Sequence, residues 1–385
     1  MSISSKKKIL IIGPAYPYRG GNSLFVSHVY DSLKDHFEVI IYNYKLLYPS
    51  LLFPGTTQYD ESETSIKKAP NKRLINSVNP LNWITVAYKI AHEKPDLIVF
   101  DWWHPFFGFC HFGISALLPA KYKKKIIFIT ENYISHEANA VDRFLTKIGL
   151  TNAKAFVALS EIVEKELKTN NPNRKIYRSE LPVYNCYNIE SQNESLIRKK
   201  LGFNDEDKVM LFFGYVRKYK GLDILIEAMP EILRFFPEAK LLIVGEFYDD
   251  PKDYTNRVML LGIKDKVTIV NKFVPNEDVG SYYIASDLVV LPYRSATQSG
   301  ILNVAYGFLK PVLATRVGGL SEFILEDRTG ILVEPDSAEE LLRGVIKFFE
   351  LKLIVNFKEN IKAYIGSNKF EKLPQLFEEI IQDLK

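Results

Sequence analysis

The chain has 385 residues, 47% of them hydrophobic and 25% charged, which excludes a disordered, collagen-like or coiled-coil protein and suits two domains. Its two cysteines, Cys110 and Cys186, are too few for a disulfide framework or a four-thiolate zinc site and fit a reducing cytoplasm. Residues 1–185 carry 24 Lys and Arg against 16 Asp and Glu, and residues 186–385 carry 26 against 30. The basic first half, which also holds all six histidines, calls for an anionic neighbour such as phosphate, nucleic acid or an anionic membrane surface, unless it is simply a solvated basic face.

After Lys6-Lys7-Lys8 only Ile9–Ile12 is apolar before Gly13-Pro14, too short a run for a signal peptide. Strands are expected at Lys8–Gly13, Glu38–Asn43, Leu97–Trp102, Lys125–Thr130 and Ala155–Leu159, each an apolar run without polar alternation. Helical patterns such as Ser23–Leu33 and Ser160–Lys168 lie between them, the rhythm of βαβ units in a doubly wound sheet. The longest apolar stretch, Pro105–Ala120, contains His111 and falls short of the ~20 residues of a spanning helix. It reads as a buried helix, with a bilayer-touching helix as the alternative. Lys121, Lys123, Lys124 and Lys125 follow it directly.

The rhythm breaks after residue 170, and a polar stretch without periodicity sets the domain boundary near Pro182–Asn193. A second alternation follows. Its strands are Val209–Gly214, Lys240–Gly245, Val267–Val270, Leu288–Leu291, Val312–Thr315 and Ile331–Val333. Its helices include Leu222–Phe236, Asn276–Ala285, Ile301–Phe308 and Ala338–Glu350, and Lys369–Leu384 is a further amphipathic helix. The expected organisation is residues 1–188 as one Rossmann-like domain, 189–366 as a second, and 367–385 as a C-terminal helix whose return to the first domain is left open. The two doubly wound domains are expected to face a central cleft that holds the ligands.

Several chemistries lack their motifs. There is no G-x-x-x-x-G-K-[ST] loop, no G-x-G-x-x-G, no H-E-x-x-H and no G-x-S-x-G. Asp205-Glu206-Asp207 precedes a strand and reads as a solvated loop, not a metal site. Four loops at strand ends do carry a pattern. Gly13 to Ser23 includes Gly20-Gly21 and opens a helix, with Asn22 or Ser23 as the expected N-cap. Gly214-Tyr-Val-Arg217-Lys218-Tyr-Lys220-Gly221 puts three cations beyond a strand, suited to a diphosphate. Pro292 to Ile301 and Ala314 to Glu322 each lead from a strand to an expected helix start, so two helix N-termini would face the basic loop.

In that order these motifs, with Leu-Leu-Ile-Val-Gly245, Ala-Ser-Asp287-Leu-Val-Val-Leu-Pro292 and Val-Gly-Gly-Leu-Ser-Glu322, resemble the GT-B glycosyltransferases of family four, the group 1 type. The resemblance covers nearly the whole chain and is strongest from about 205 to 340. It implies retaining transfer of a sugar from a nucleotide-sugar donor without a divalent metal or a further cofactor. The donor would lie on the C-terminal domain and a glycan or lipid-linked acceptor mostly on the N-terminal one, in surface polysaccharide synthesis. Lys220 takes the place of the family's diphosphate lysine, and Arg217 is the best match to its arginine. Gly245 and Glu246 would line the nucleoside, Phe273 and Val274 the base, and Gly300 and Ile301 the donor phosphates.

Where the family has two glutamates eight positions apart this chain has Ala296 and Val304, with Thr297, Gln298, Ser299 and Asn303 as polar neighbours. Where it has a histidine after the strand Ile126–Thr130 this chain has Glu131, and His136 follows five residues later. Trp103 is a candidate for stacking on a sugar or for the core. His136, Arg217 and Lys220 are therefore the expected catalytic residues, with Gly20, Gly21, Asn22, Trp103 and Glu131 binding substrate on the first domain. Two alternatives remain at this stage: a catalytically silent sugar-nucleotide-binding protein and a GT-B sugar-nucleotide epimerase. A cytoplasmic protein is expected, with the inner membrane face as a candidate surface, and nucleic acid is no expected partner because the basic residues form no aromatic-interleaved stripe.

Overall fold

The structure is a computed structural model, described here for residues 6–53, 55–63, 66–134, 139–187 and 193–385. The chain divides into two compact units. The first comprises Met1–Asp60, Lys67–Pro182 and Lys369–Lys385, and the second Glu61–Ile66 and Val183–Asn368. The main crossing thus falls after Pro182 instead of residue 188, and the second unit runs to Asn368 instead of 366. The short loan of residues 61–66 to the second unit has no compositional signal. Its anchor is a pair of bonds, from the Asn276 amide to Ser62 Oγ (3.0 Å) and from the Glu63 amide to the Glu277 carboxylate (3.1 Å).

The first unit holds β1 (Lys8–Ile12), α1 (Gly21–Leu33), β2 (Glu38–Leu46), β3 (Asn71–Asn76), α2 (Pro80–Glu93), β4 (Leu97–Trp102), α3 (Gly108–Leu117), α4 (Ala120–Lys123), β5 (Ile126–Thr130), α5 (Ala140–Gly149), β6 (Ala155–Ala158), α6 (Glu161–Asn170) and β7 (Lys175–Arg178). Its seven strands are all parallel, in the order β3-β2-β1-β4-β5-β6-β7. The second unit holds α7 (Glu194–Lys200), β8 (Lys208–Phe213), α8 (Leu222–Phe235), β9 (Ala239–Val244), α9 (Pro251–Leu260), β10 (Val267–Val270), α10 (Asn276–Ala285), β11 (Leu288–Leu291), α11 (Gly300–Gly307), β12 (Val312–Thr315), β13 (Gly330–Val333), α12 (Ala338–Leu351) and α13 (Phe357–Ile365). Its six parallel strands run β10-β9-β8-β11-β12-β13. Both sheets are doubly wound, and the order reverses between β1 and β4 in one and between β8 and β11 in the other, the places where such sheets hold ligands.

The central strands form because both of their faces are covered. In β4 the alternation sends Ile98, Phe100 and Trp102 into one core and Leu97 and Val99 into the other. The last helix, α14 (Leu373–Asp383), belongs to the first unit. Its apolar face, Leu373, Phe377, Ile380 and Ile381, closes the core that contains Ile9, Phe25 and Val29. Glu378 pairs with Lys7 and Asp383 with Lys175 at its margins.

Pro105–Ala120 is not one buried helix. A 3-10 turn, Pro105–Phe107, leads into α3, and Pro119 restarts the chain as α4. One side of α3 buries Cys110, His111 and Ile114 while Phe109 and Phe112 stay in solvent. His111 is a core residue: it meets Tyr44 Oη at 2.8 Å, and burial pushes its pKa down to about 3, so it stays neutral.

Candidate functional site

In the second unit the site grows from the carboxyl end of β8. Gly214 and Gly245 follow β8 and β9, both with positive φ (106° and 145°), and a Cβ on Gly245 would lie 2.1 Å from the Gly214 carbonyl oxygen. Only glycine permits that approach. A Cβ on Gly214 would in turn lie 3.2 Å from Lys220 Nζ and 3.1 Å from Ile301 Cδ1, so the lysine head stands over the strand end beside the start of α11. Lys220 closes a 3-10 turn, Lys218–Lys220, and Gly221 then turns in the left-handed region against the Pro292 carbonyl. Arg294 fastens this loop to the next. It grips Asp223 with two bonds (2.8 and 2.9 Å), reaches Asp336 (2.8 Å) and the Lys218 carbonyl (2.7 Å), and takes a backbone bond to Tyr219.

Lys220 is 8% exposed and has no carboxylate partner among the described residues. Burial, and then the neighbouring charge of Arg217, lower its pKa to about 8. Its Nζ lies 5.6 Å from the Tyr293 ring centre, and Arg217 lies over the Tyr248 ring at 5.0 Å. A buried ammonium without a carboxylate partner gains strongly from an incoming anion. Ser299 caps α11 by accepting from the Leu302 amide, which leaves the amides of Gly300 and Ile301 at the first helical positions.

Glu246 is buried, and its carbonyl accepts from the Val216 amide at 3.0 Å. Asn271 Oδ1 accepts from the Phe247 amide at 3.1 Å, which draws the loop carrying half-buried Phe273 and buried Val274 toward the Gly245–Glu246 turn. Gln298 presents a buried Oε1 with no hydrogen-bond donor, while Asn303 turns back to the Ser299 carbonyl (3.5 Å). Ala296 and Val304 are both buried. The second expected helix N-terminus is not an α-helix. After Gly318, whose backbone is pressed on the Ala296 carbonyl, Leu320–Phe323 makes one 3-10 turn and Ile324 is extended. One α-helix start, that of α11, therefore faces the basic loop. Asp207 also differs from the solvated reading, being buried and accepting from the Asn204 amide. Among the described residues no group of three or more His, Cys, Asp or Glu could hold a metal ion.

The first unit builds its strand-end site with opposite charge. Gly20 (φ 100°) is itself the N-cap of α1, with no side-chain cap, and Gly21 has open space where a Cβ would stand. Asn22 does not cap the helix as the sequence suggested. Its Nδ2 donates to Glu131 Oε1 at 2.9 Å, and Ser23 takes no capping role either. Glu131 is buried just past β5, its amide bonded to the Trp102 carbonyl, and burial raises its pKa to about 7. Trp103 belongs to an aromatic cluster: it packs on Phe107 at 4.3 Å between ring centres and donates to Tyr48 Oη at 3.3 Å. His136 lies outside the described residues. Sequence reasoning missed Asp101 as a site group and Arg294 as the tie between loops. A lone acid ending a doubly buried strand and an arginine beside the strand-end Pro292 were the available signals.

Comparison with known proteins now has a geometry to rest on. The curated relatives include an uncharacterized glycosyltransferase of Methanocaldococcus jannaschii, 26% identical over 94% of this chain and 92% of that protein. They also include the lipopolysaccharide 1,2-N-acetylglucosaminetransferase of Salmonella typhimurium, 26% identical over 59% of this chain and 66% of that enzyme. Among solved structures, Anabaena HepE in complex with UDP superposes with a TM-score of 0.73 at 18% identity, over 98% of this chain and 100% of that one. Two doubly wound units with this topology give the chain the GT-B fold. Residues 193–365 match the family model described as glycosyl transferases group 1.

Proposed function

We propose that the protein is a retaining, metal-independent glycosyltransferase. It moves a sugar from a nucleoside-diphosphate-sugar donor, with uridine diphosphate as the leaving group, to a glycan or lipid-linked acceptor in surface polysaccharide synthesis. The observation that carries the donor half is Lys220: buried, without a carboxylate, and set between the end of β8 and the first amides of α11. As the sugar–phosphate bond breaks, negative charge gathers on the departing diphosphate. Lys220, Arg217 and the Gly300 and Ile301 amides can neutralise it, the part a divalent ion plays elsewhere. The gain is one of position, since these groups are fixed before the charge develops. Uridine diphosphate complexed with HepE and the lipopolysaccharide acceptor named for the Salmonella relative support the choice of donor and pathway. The test is calorimetric titration with UDP in excess EDTA, followed by transfer assays under the same conditions. Binding and turnover should persist, and turnover that returns only with Mg²⁺ or Mn²⁺ would refute metal independence.

A membrane-facing role for the first unit rests on a separate observation. The helix α3 lies against both α2 and α5, and these three leave Leu81, Ile84, Tyr88, Phe109, Phe112, Val141 and Phe144 exposed. Phe109 and Phe144 meet at 6.5 Å across two helices. Lys121, Lys123 and Lys124 follow α3, and Arg143 and Lys147 lie on α5. Apolar side chains edged by cations suit the surface of an anionic bilayer, at about 1 kcal/mol per basic residue near it. No helix among the described residues is long and apolar enough to span a membrane. Vesicles of anionic phospholipid should sediment the protein at low salt and release it at high salt. Replacing Lys121, Lys123 and Lys124 by Ser should weaken the association, and protein left in the supernatant at low salt would end the idea.

A further inference from the structure

The carboxyl ends of β4 and β5 bring two acids together. Alternation along the strands puts Asp101 on the face of Leu97 and Val99, and Glu131 on the face of Ile127 and Ile129, which is the same face of the sheet, under α1 and α14. Asp101 is 1% exposed, and neither of its oxygens receives a hydrogen bond from a donor group. Across the β4–β5 register it interacts electrostatically with the Glu131 carboxyl. Gly13 at the end of β1 makes the room: a Cβ there would fall 3.1 Å from Asp101 Cβ and 2.9 Å from Val26 on α1.

Two ionised carboxylates cannot satisfy each other, since both only accept. Among the described residues no cation acts on either acid. From α1 the pair faces Asn22, whose amide bonds Glu131, and from β1 it faces Gly13. The other inward positions of β1, β4, β5 and β6 on this face are Ile9, Ile11, Leu97, Val99, Ile127, Ile129, Ala155 and Val157. The remaining charged groups of the covering helices are engaged elsewhere: His28 and Asp31 with Lys67, Glu378 with Lys7, Asp383 with Lys175. Burial, then the charge of its neighbour, keeps Asp101 well above the usual carboxylate range, and burial lifts Glu131.

We propose that Asp101 and Glu131 hold one proton between them, with Asp101 as the positioning residue that donates it, so that Glu131 is presented beside Asn22 as a single negative charge to a hydroxyl of the sugar acceptor. The ligand class rests on the reading of the first unit as the acceptor-binding one, whereas the shared proton stands on the strand-end geometry alone. Asn22 fixes one Glu131 oxygen and Asp101 holds the carboxyl from the sheet side. Gly20 and Gly21, with the first amides of α1, form the rest of the rim. Near neutrality the pair then passes from a neutral, proton-donating state to a singly charged, accepting one.

Carbon-13 NMR of protein labelled at the Glu side-chain carboxyl tests this without any ligand. Glu131→Gln identifies the signal by its loss. The wild-type signal should titrate with a midpoint near 7, and the Asp101 carboxyl carbon, labelled likewise, should move over the same pH window. In Asp101→Asn the amide keeps a donor on Glu131 and burial persists, so the midpoint should stay near 7, whereas Asp101→Leu removes the donor and the midpoint should rise. A wild-type Glu131 midpoint at the ordinary value of about 4.3 overturns the proposal, whatever the variants do. So does a midpoint that Asp101→Leu leaves at or below the wild-type value. UDP titration reports on the second unit, so failure of the donor assignment would be seen separately.

Discussion

The two units place their sites at the same point of the same topology and charge them oppositely. Beyond β8 and β11 stand Lys220 and Arg217 with helix amides, and beyond β4 and β5 stand Asp101 and Glu131 with an asparagine. Among the described residues, buried Lys220, Asp101 and Glu131 lack the opposite charge that a structural ion pair would have. Elsewhere the chain does pair its buried ions: Arg198 is bonded to Asp287 at 2.9 Å, with Lys352 on the other Asp287 oxygen. The contrast teaches that strand-end position alone does not tell what binds. The sign of the unmatched charge does, a buried cation calling for a polyanion and a proton-sharing acid pair for neutral hydroxyls.

The largest expected effect breaks the basic side. Lys220→Ala removes a buried ammonium, and UDP affinity should fall about 10- to 100-fold by calorimetry, the worth of a lost charge-assisted bond. Equal affinities would mean the diphosphate lies elsewhere. A smaller effect sharpens the same side through pH. Lys220 in the free protein loses its proton near pH 8, and a bound diphosphate raises that value, so binding takes up a proton above pH 8. UDP affinity should be flat just below that point and fall about tenfold between pH 7 and 9. Lys220→Ala should lose this dependence, and a flat wild-type profile would contradict the depressed lysine. On the acidic side the pH response runs lower, around 7, and belongs to Glu131. Two separate midpoints, one per unit, are the signature of the comparison.

Much of the architecture was legible in the sequence, and the failures share causes. The central strands showed as unbroken apolar runs because both faces are covered. The edge strands β3 and β7, Asn71-Lys-Arg-Leu-Ile-Asn76 and Lys175-Ile-Tyr-Arg178, were missed because each pairs on one side only and alternates with polar residues. Lys220 was readable because its signal is local, a lysine before a glycine that must turn left-handed. The Asp101–Glu131 pair was not, because thirty positions separate its members and only the β4–β5 register joins them. The helix expected after Gly318-Gly319 failed for a tertiary reason, the press of that backbone on the Ala296 carbonyl.

The place of Lys369–Lys385 in the first unit has a consequence for the order of events at synthesis. The segment emerges after the whole of the second unit, yet it supplies Phe370, Leu373, Phe377, Ile380 and Ile381 to the core around Ile9, Phe25 and Val29. Until then the first sheet has one face with part of its cover missing, and the unit that starts first is the one that finishes last. A ribosome stalled short of residue 369 would carry a complete second unit beside an open first one. Cutting the gene between the units would likewise leave the first lacking a helix it cannot replace.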